Sequence, residues 1–276
     1  MASLGDVRDS LLAAAAEAQE LIGTSCPRVH SPSPLEFARD FVHQNRPCVI
    51  TGAMDDWPAM SKWTDDYLLE RLAELELSIN VTPNGRGDAV AYHHDKEVFV
   101  MPEERTMSFA DFLENLRGSR SLGGGDVFYL SHQNDNLRAQ LQGKLLGDVP
   151  ASVPLADEAL GHGPDAVNFW MGDAGAVTTL HKDHYENLYG VVRGAKHFTL
   201  FPPSAVPFLY PTTLEPRVYA KSGGEWRMET PPDAEAGARP WITVDPARQD
   251  PGRFPLFARA AATRVTVRPG FEPHPF

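Results

Sequence analysis

TTLHKDHYENLYGVVRGAKHFTLFPP, residues 178–203, is the stretch that decides the reading of the chain. Within it His181 and Asp183 stand two apart. On a strand, residues i and i+2 share a face, so an imidazole nitrogen and a carboxylate oxygen would converge on one point. That pair fills two of the three positions of a 2-His-1-carboxylate metal triad, which holds Fe(II) and leaves coordination positions open. The same His-x-Asp spacing also fits a surface pair at a polar strand end. The spacing predicts strands over residues 188–192 and 197–201, joined by a turn at 193–196, with Lys196 opening the return strand.

Facing the interior, the Lys196 ammonium needs an anion. A bound dicarboxylate would supply one. Thr178, and Tyr129 on an earlier predicted strand, carry hydroxyls that can donate to the same carboxylate, although each also fits a purely structural role. Strict alternation turns Thr178 away from the face of His181, so its participation needs a break in the strand. His184 and His197 have the opposite parity to His181 and Lys196 and are expected to point elsewhere. Trp57, Trp63 and Trp170 read as core, because large aromatics dominate buried area.

The rest of the chain sets the limits. Of 276 residues, 42% are hydrophobic and 22% charged, which suits a globular chain with a substantial core. The 25 Lys+Arg against 37 Asp+Glu give a net charge of −12, which argues against a general nucleic-acid grip and favours basic partners. Cys26 and Cys48 are too few for a disulfide framework or a Cys-rich zinc site. No apolar run approaches a membrane span. The opening MASLGDVRDSLLAAAAEAQELIG carries four acidic residues that a signal peptide would avoid, so it reads as an amphipathic helix in a cytoplasmic or nuclear protein.

Helices are predicted over residues 6–22 (apolar stripe Val7, Leu11, Ala15, Ala18, Ile22), after Ser33, over 64–75 capped by Thr64, over 108–118 capped by Ser108, and over 136–146. Strands are predicted over 48–51, 77–82, 89–92, 98–101, 127–130, 166–171, 176–180 and 264–267. The Pro- and Gly-rich stretch 207–255 reads as long loops with few strands. Early helices followed by short strands argue for an α+β fold on an antiparallel barrel or sandwich.

Three stretches carry a family resemblance: SPLEFARDFVHQNRPCVITGAMDDWPAMSKW (33–63), PDAVNFWMG (164–172) and AVTTLHKDHYENLYGVVRGAKHFTLFPP (176–203). With them the chain resembles the Jumonji-C (JmjC, cupin-8-like) Fe(II)- and 2-oxoglutarate-dependent oxygenases, from about residue 32 to 270. The resemblance is nearest to small JmjC-only members that hydroxylate lysyl side chains. It implies a double-stranded β-helix (cupin or jelly-roll barrel) with N-terminal helices, and a division into a lead-in, 1–31, and a JmjC domain, 32–276. It also implies that His181 and Asp183 bind Fe(II), and that Lys196, helped by Tyr129 and Thr178, binds the distal carboxylate of 2-oxoglutarate. Asn187 and Tyr189 match positions lining the cosubstrate and metal pocket. The implied partner is a protein with a target lysine, in this family a translation-associated GTPase, with neither nucleic acid nor membrane involved.

One part of the family pattern has no counterpart. The third iron ligand is a histidine on a late strand, well past the turn matched by Pro269 and Gly270. His274 stands between two prolines, a poor strand residue and a poor substitute. The final barrel strands and the C-terminal dimerisation helices are therefore expected to be missing, and a His-Asp pair alone is expected to hold Fe(II) weakly. Truncation is favoured over degeneration because His181, Asp183, Lys196, Tyr129 and Thr178 are intact. Two other readings stand beside the hydroxylase: a non-catalytic cupin-like binding module, and a JmjC histone lysine demethylase or peptidase. A nucleophile–base constellation for peptidase chemistry is not apparent in the sequence.

Overall fold

A computed structural model of the chain describes residues 3–122, 125–232 and 237–270. His274 lies outside the described residues. The first element, α1 (Leu4–Ile22), starts where the Ser3 hydroxyl accepts from Asp6 N and the Asp6 carboxylate accepts from Ser3 N, a reciprocal cap for two otherwise orphan donors. Its buried face is Leu12, Ala15 and Gln19, packed against Phe208. The predicted stripe is thus rotated: Val7 and Leu11 are exposed. Gln19 explains the rotation. Its amide donates to Arg259 O (3.2 Å) and accepts from Ala261 N (2.7 Å), pulling that face onto the body of the protein.

The remaining elements follow in order: β1 (Arg28–His30), α2 (Pro34–Phe37) running into a π-turn Ala38–Val42, β2 (Val49–Thr51), α3 (Ala59–Lys62), α4 (Asp65–Leu72), β3 (Glu76–Thr82), β4 (Arg86–Gly87), β5 (Ala89–His93), β6 (Lys96–Met101), β7 (Glu103–Ser108), α5 (Phe109–Leu122) and β8 (Val127–Leu130). Then come α6 (Pro154–Leu160), β9 (Met171–Gly172), β10 (Val177–Thr178), β11 (Lys196–Leu200), β12 (Pro211–Ser222), β13 (Glu225–Glu229), β14 (Arg239–Ile242) and β15 (Thr263–Val267). One sheet runs β7-β3-β8-β9, all antiparallel. A second runs β13-β12-β6-β5, with β14 also on β12. Three two-stranded pairs complete the set: β1-β2, β4-β10 and β11-β15.

The main core lies under the first sheet. Leu77, Ile79 and Val81 alternate along β3 and are fully buried, as period-two patterning requires. They pack on Leu68 and Leu72 of α4 and on Phe109, Phe112, Leu113 and Leu116 of α5. Each such side chain contributes about 1.5–3 kcal/mol on burial. Buried Asp148 fastens this layer: it accepts from Lys62 Nζ (3.0 Å), Trp63 Nε1 (3.1 Å) and Tyr67 OH (2.7 Å). Burial pushes its carboxyl up, but the three donors outweigh burial and hold it below the usual carboxylate range. Asp126 ties the two sheets together, accepting from Lys221 Nζ (2.8 Å), Trp226 Nε1 (3.0 Å) and Arg105 Nη1 (3.3 Å).

Several predictions from sequence change. Residues 188–192 form no strand; β11 pairs instead with β15, Lys196 opposite Val267 and Leu200 opposite Thr263. Residues 136–145 are turns rather than a helix. The stretch 207–255 holds β12, β13 and β14. Its prolines misled the reading, yet Pro216 costs no ladder bond on its second side, because β14 pairs only with residues 211–214 and β13 only with 218–222. The strands β1 and β7 went unpredicted: RVH is too short, and EERTMS too charged, to announce itself. Among the described residues, no helix is long and apolar enough to cross a membrane.

Candidate active site

Two close backbone approaches bring the functional side chains together. On β8, Tyr129 pairs with Gly172 of β9. A Cβ at Gly172 would lie 2.6 Å from Tyr129 Cδ2, so glycine is what lets the ring lie across the neighbouring strand. At Gly85 (φ 79°), a Cβ would meet Gly175 O at 1.8 Å. That contact, with the bond from Val177 N to Gly85 O (2.9 Å), docks β10 beside β4 and carries the following residues over the sheet.

Lys196 opens β11 and is half-buried. Its ammonium donates to Tyr129 OH (3.2 Å) and stands over the rings of Tyr129, Trp170 and Tyr189 at 5.5, 5.8 and 5.9 Å from their centroids. The three rings meet edge to face, Tyr129 against Trp170 at 5.6 Å and Trp170 against Tyr189 at 6.1 Å. No carboxylate of a described residue pairs with this ammonium. Burial accordingly lowers its pKa, and the ring faces only partly replace water. The Tyr129 phenol is pushed well up, by burial first and by Tyr189 next, while its hydrogen bond with Thr178 opposes the shift. Thus Tyr129, Thr178, Tyr189 and Lys196 form one cluster. Trp170 belongs to it too, lining the ammonium rather than sitting in the core as predicted; of the three tryptophans, Trp63 alone is buried.

His181 and Asp183 sit on an irregular segment after β10, not on a strand. They converge all the same: His181 Nε2 lies 3.5 Å from Asp183 Oδ1. His181 Nδ1 is 2.7 Å from Thr179 O. A carbonyl only accepts, so Nδ1 carries the proton and Nε2 keeps its lone pair for a metal. The ring stacks on Trp241 (6.0 Å, 11° between planes), which itself packs on Phe99 at 4.7 Å. Asn187 Nδ2 donates to Asp183 Oδ2 (2.9 Å), which leaves Oδ1 turned toward the histidine. The end of the strand at Thr178 supplies the break that Thr178 needed: Thr178, Tyr129 and His181 line one cavity of about 90 Å3, together with Asp88, Ser131 and Trp241. This cavity opens beside a broad cleft that Lys196, Asp183, Asn187 and Tyr189 also line. His184 is exposed, and His197 is exposed with Nδ1 2.8 Å from Thr266 Oγ1.

These residues fit the groups that the family resemblance implies. Donor atoms about 2.0–2.2 Å from one metal, in adjacent positions, lie about 3 Å apart. The observed 3.5 Å needs only a small closure. The half-buried ammonium, without a carboxylate partner among the described residues and with a phenol and a threonine hydroxyl at hand, suits a carboxylate. Among the described residues, no three His, Cys, Asp or Glu side chains converge, so the pair supplies two ligand positions. Sequence reasoning read Trp170 as core and missed Trp241 and Asp88, which had no local signal.

Residues 34–270 match the Cupin-like domain family. A human protein described as bifunctional peptidase and (3S)-lysyl hydroxylase JMJD7 is 43% identical over 273 residues, covering 98% of this chain and 83% of the relative. The JmjC domain-containing protein E of Dictyostelium discoideum is 35% identical, over 92% of this chain and 77% of the relative. The lysine-specific demethylase JMJ32 of Arabidopsis thaliana is 37% identical, over 87% of this chain and 71% of the relative. A cupin-like domain implies a jelly-roll arrangement of mixed helices and sheets, in keeping with the several antiparallel sheets described above. The chain belongs to the cupin-like JmjC family, whose members are 2-oxoglutarate-dependent oxygenases.

Proposed function

We propose that this chain is a protein hydroxylase that uses Fe(II) and 2-oxoglutarate and acts on a lysyl side chain. The observation that carries the reading is the juxtaposition of the His181–Asp183 pair with a half-buried Lys196 ammonium that no carboxylate among the described residues engages, along one cleft. In this reading His181 Nε2 and Asp183 Oδ1 hold the metal, with a third donor from outside the described residues. Lys196 neutralises the distal carboxylate of 2-oxoglutarate. Tyr129 and Thr178 donate their hydroxyl protons to it, and Tyr189 and Trp170 keep water from the ammonium. Asn187 orients Asp183, and the Thr179 carbonyl keeps the proton of His181 on Nδ1. When bound, the metal would supply activation of dioxygen, one oxygen atom going to succinate as 2-oxoglutarate loses carbon dioxide and the other to the lysyl side chain.

The sheets are read as walls of a double-stranded β-helix spanning 32–276, with 1–31 as its lead-in. The substrate is read as a protein with a target lysine, a translation-associated GTPase being the first to try. A human relative described as a (3S)-lysyl hydroxylase favours hydroxylation over demethylation, the demethylase JMJ32 being less similar (37% against 43% identity). The test is succinate release with Fe(II), 2-oxoglutarate and lysine-bearing GTPase peptides, read with peptide mass. Gain of one oxygen on lysine, lost in His181→Ala, is the expected result. Succinate release no higher than that of His181→Ala would sink the hydroxylase reading, and loss of a methyl group would replace it with demethylation.

A further inference from the structure

The parallel pairing of β4 with β10 sets Gly87 opposite Thr178, and so places the next residue, Asp88, alongside Thr179. The Thr179 hydroxyl donates to the Asp88 carbonyl, while the Thr179 carbonyl accepts from His181 Nδ1. Asp88 and His181 are therefore clamped through one residue. Asp88 has φ 49°, a left-handed conformation that few side chains adopt without strain and that Asp tolerates better than most. It is exposed to solvent, yet it lines the same small cavity as His181, Tyr129, Thr178 and Trp241. Neighbouring protein desolvates its carboxyl and raises the pKa, while the nearby Arg239 guanidinium opposes that shift. Among the described residues no ion pair engages it. Asp88 is the one carboxylate among the described residues that lines this small cavity. In the same cavity the indole N–H of Trp241 is buried without a partner among the described residues.

A lysyl side chain entering toward His181 brings an ammonium that must find an anion as it leaves water. We propose that Asp88 is the carboxylate that receives the primary ammonium of the substrate, and thereby the residue that selects lysine over neutral side chains of the same length. This inference rests on the lysyl reading of the site. It assigns to Asp88 a recognition role separate from metal and cosubstrate binding.

The test uses the full chain, isotopically labelled, titrated by NMR with acetyl-Ala-Ala-Lys-Ala-Ala-amide and with the same peptide carrying norleucine for lysine. The wild type is expected to bind the lysine peptide at least tenfold more tightly, and Asp88→Asn is expected to bring the two peptides within about threefold, since a charge-assisted hydrogen bond is lost. Asp88→Gly is the second variant; glycine accepts the positive φ without strain, so its fold is secure and it should behave as Asp88→Asn does. Binding of 2-oxoglutarate should be unchanged in both. A wild-type preference for lysine that survives in both variants would overturn the role of Asp88 and leave the lysyl reading standing. Equal binding of the two peptides by the wild type would overturn both.

Discussion

Replacing Lys196 by methionine removes an ammonium while keeping most of the apolar stem. The structure predicts opposite effects on the free protein and on its ligand. In the free protein this cation has a phenol and three ring faces but no counter-ion among the described residues, and burial depresses its pKa. A base with a lowered folded pKa binds fewer protons folded than unfolded, so stability rises with pH up to the unfolded value near about 10.4. At neutral pH the charge is therefore a burden, and Lys196→Met should melt at the same temperature as the wild type or higher. With 2-oxoglutarate the sign reverses. A hydrogen bond between charged groups contributes about 1.5–3 kcal/mol. Lys196 is only half-buried, so solvent screening brings the expected loss to roughly 2 kcal/mol, or about thirtyfold in affinity. Calorimetric titration of 2-oxoglutarate into both proteins, beside thermal melts, reads both signs. Affinity within threefold of wild type, or a melting temperature several degrees lower, would refute the assignment of Lys196 as the cosubstrate's counter-ion.

Other expectations follow from single contacts. Trp170→Ala removes one of three ring faces from the ammonium, worth about 0.5–2 kcal/mol; 2-oxoglutarate affinity should fall severalfold, with Trp170→Phe recovering part of it. Asp148→Ala strands three donors around a buried carboxylate site and should cost about 3 kcal/mol in denaturant unfolding. Because the folded pKa of Asp148 is depressed, its contribution holds above the unfolded value near about 4 and is lost as pH falls through the lower folded value, so the gap between wild type and Asp148→Asn should narrow in acid. Gly172→Ala forces a methyl to 2.6 Å from the Tyr129 ring and should destabilise by about 1–3 kcal/mol while weakening 2-oxoglutarate binding; an unchanged affinity would show that the ring position does not matter.

Much of the first sheet was legible because its signals are local. Alternation at Leu77, Ile79 and Val81, the Thr64 cap, and the hydroxyl of Ser108 accepting from Asp111 N all act within a few residues. The pairing of β11 was not legible. Residues 188–192 carry β-forming side chains, but nothing local says that the partner of Lys196 lies near Val267, some seventy positions on. The candidate site shows the same division. His181, Asp183 and Lys196 announce themselves by residue type and spacing. The convergence of His181 on Asp183 was predicted from strand geometry, yet it arises on an irregular segment, held by Thr179 and Asn187. Trp241 stacks on His181 from sixty residues away, out of a stretch whose prolines and glycines suggested loop.

The strand over residues 211–222 has a consequence for how this protein can vary. It engages three partners in succession, and through them it fixes both Trp241 against His181 and Lys221 against Asp126. A lost or gained residue anywhere along it would shift the frame for everything downstream and swap inward for outward side chains at once. Length changes in descendants of this chain should therefore collect in the bends flanking that strand, where the backbone can absorb them without disturbing the cleft.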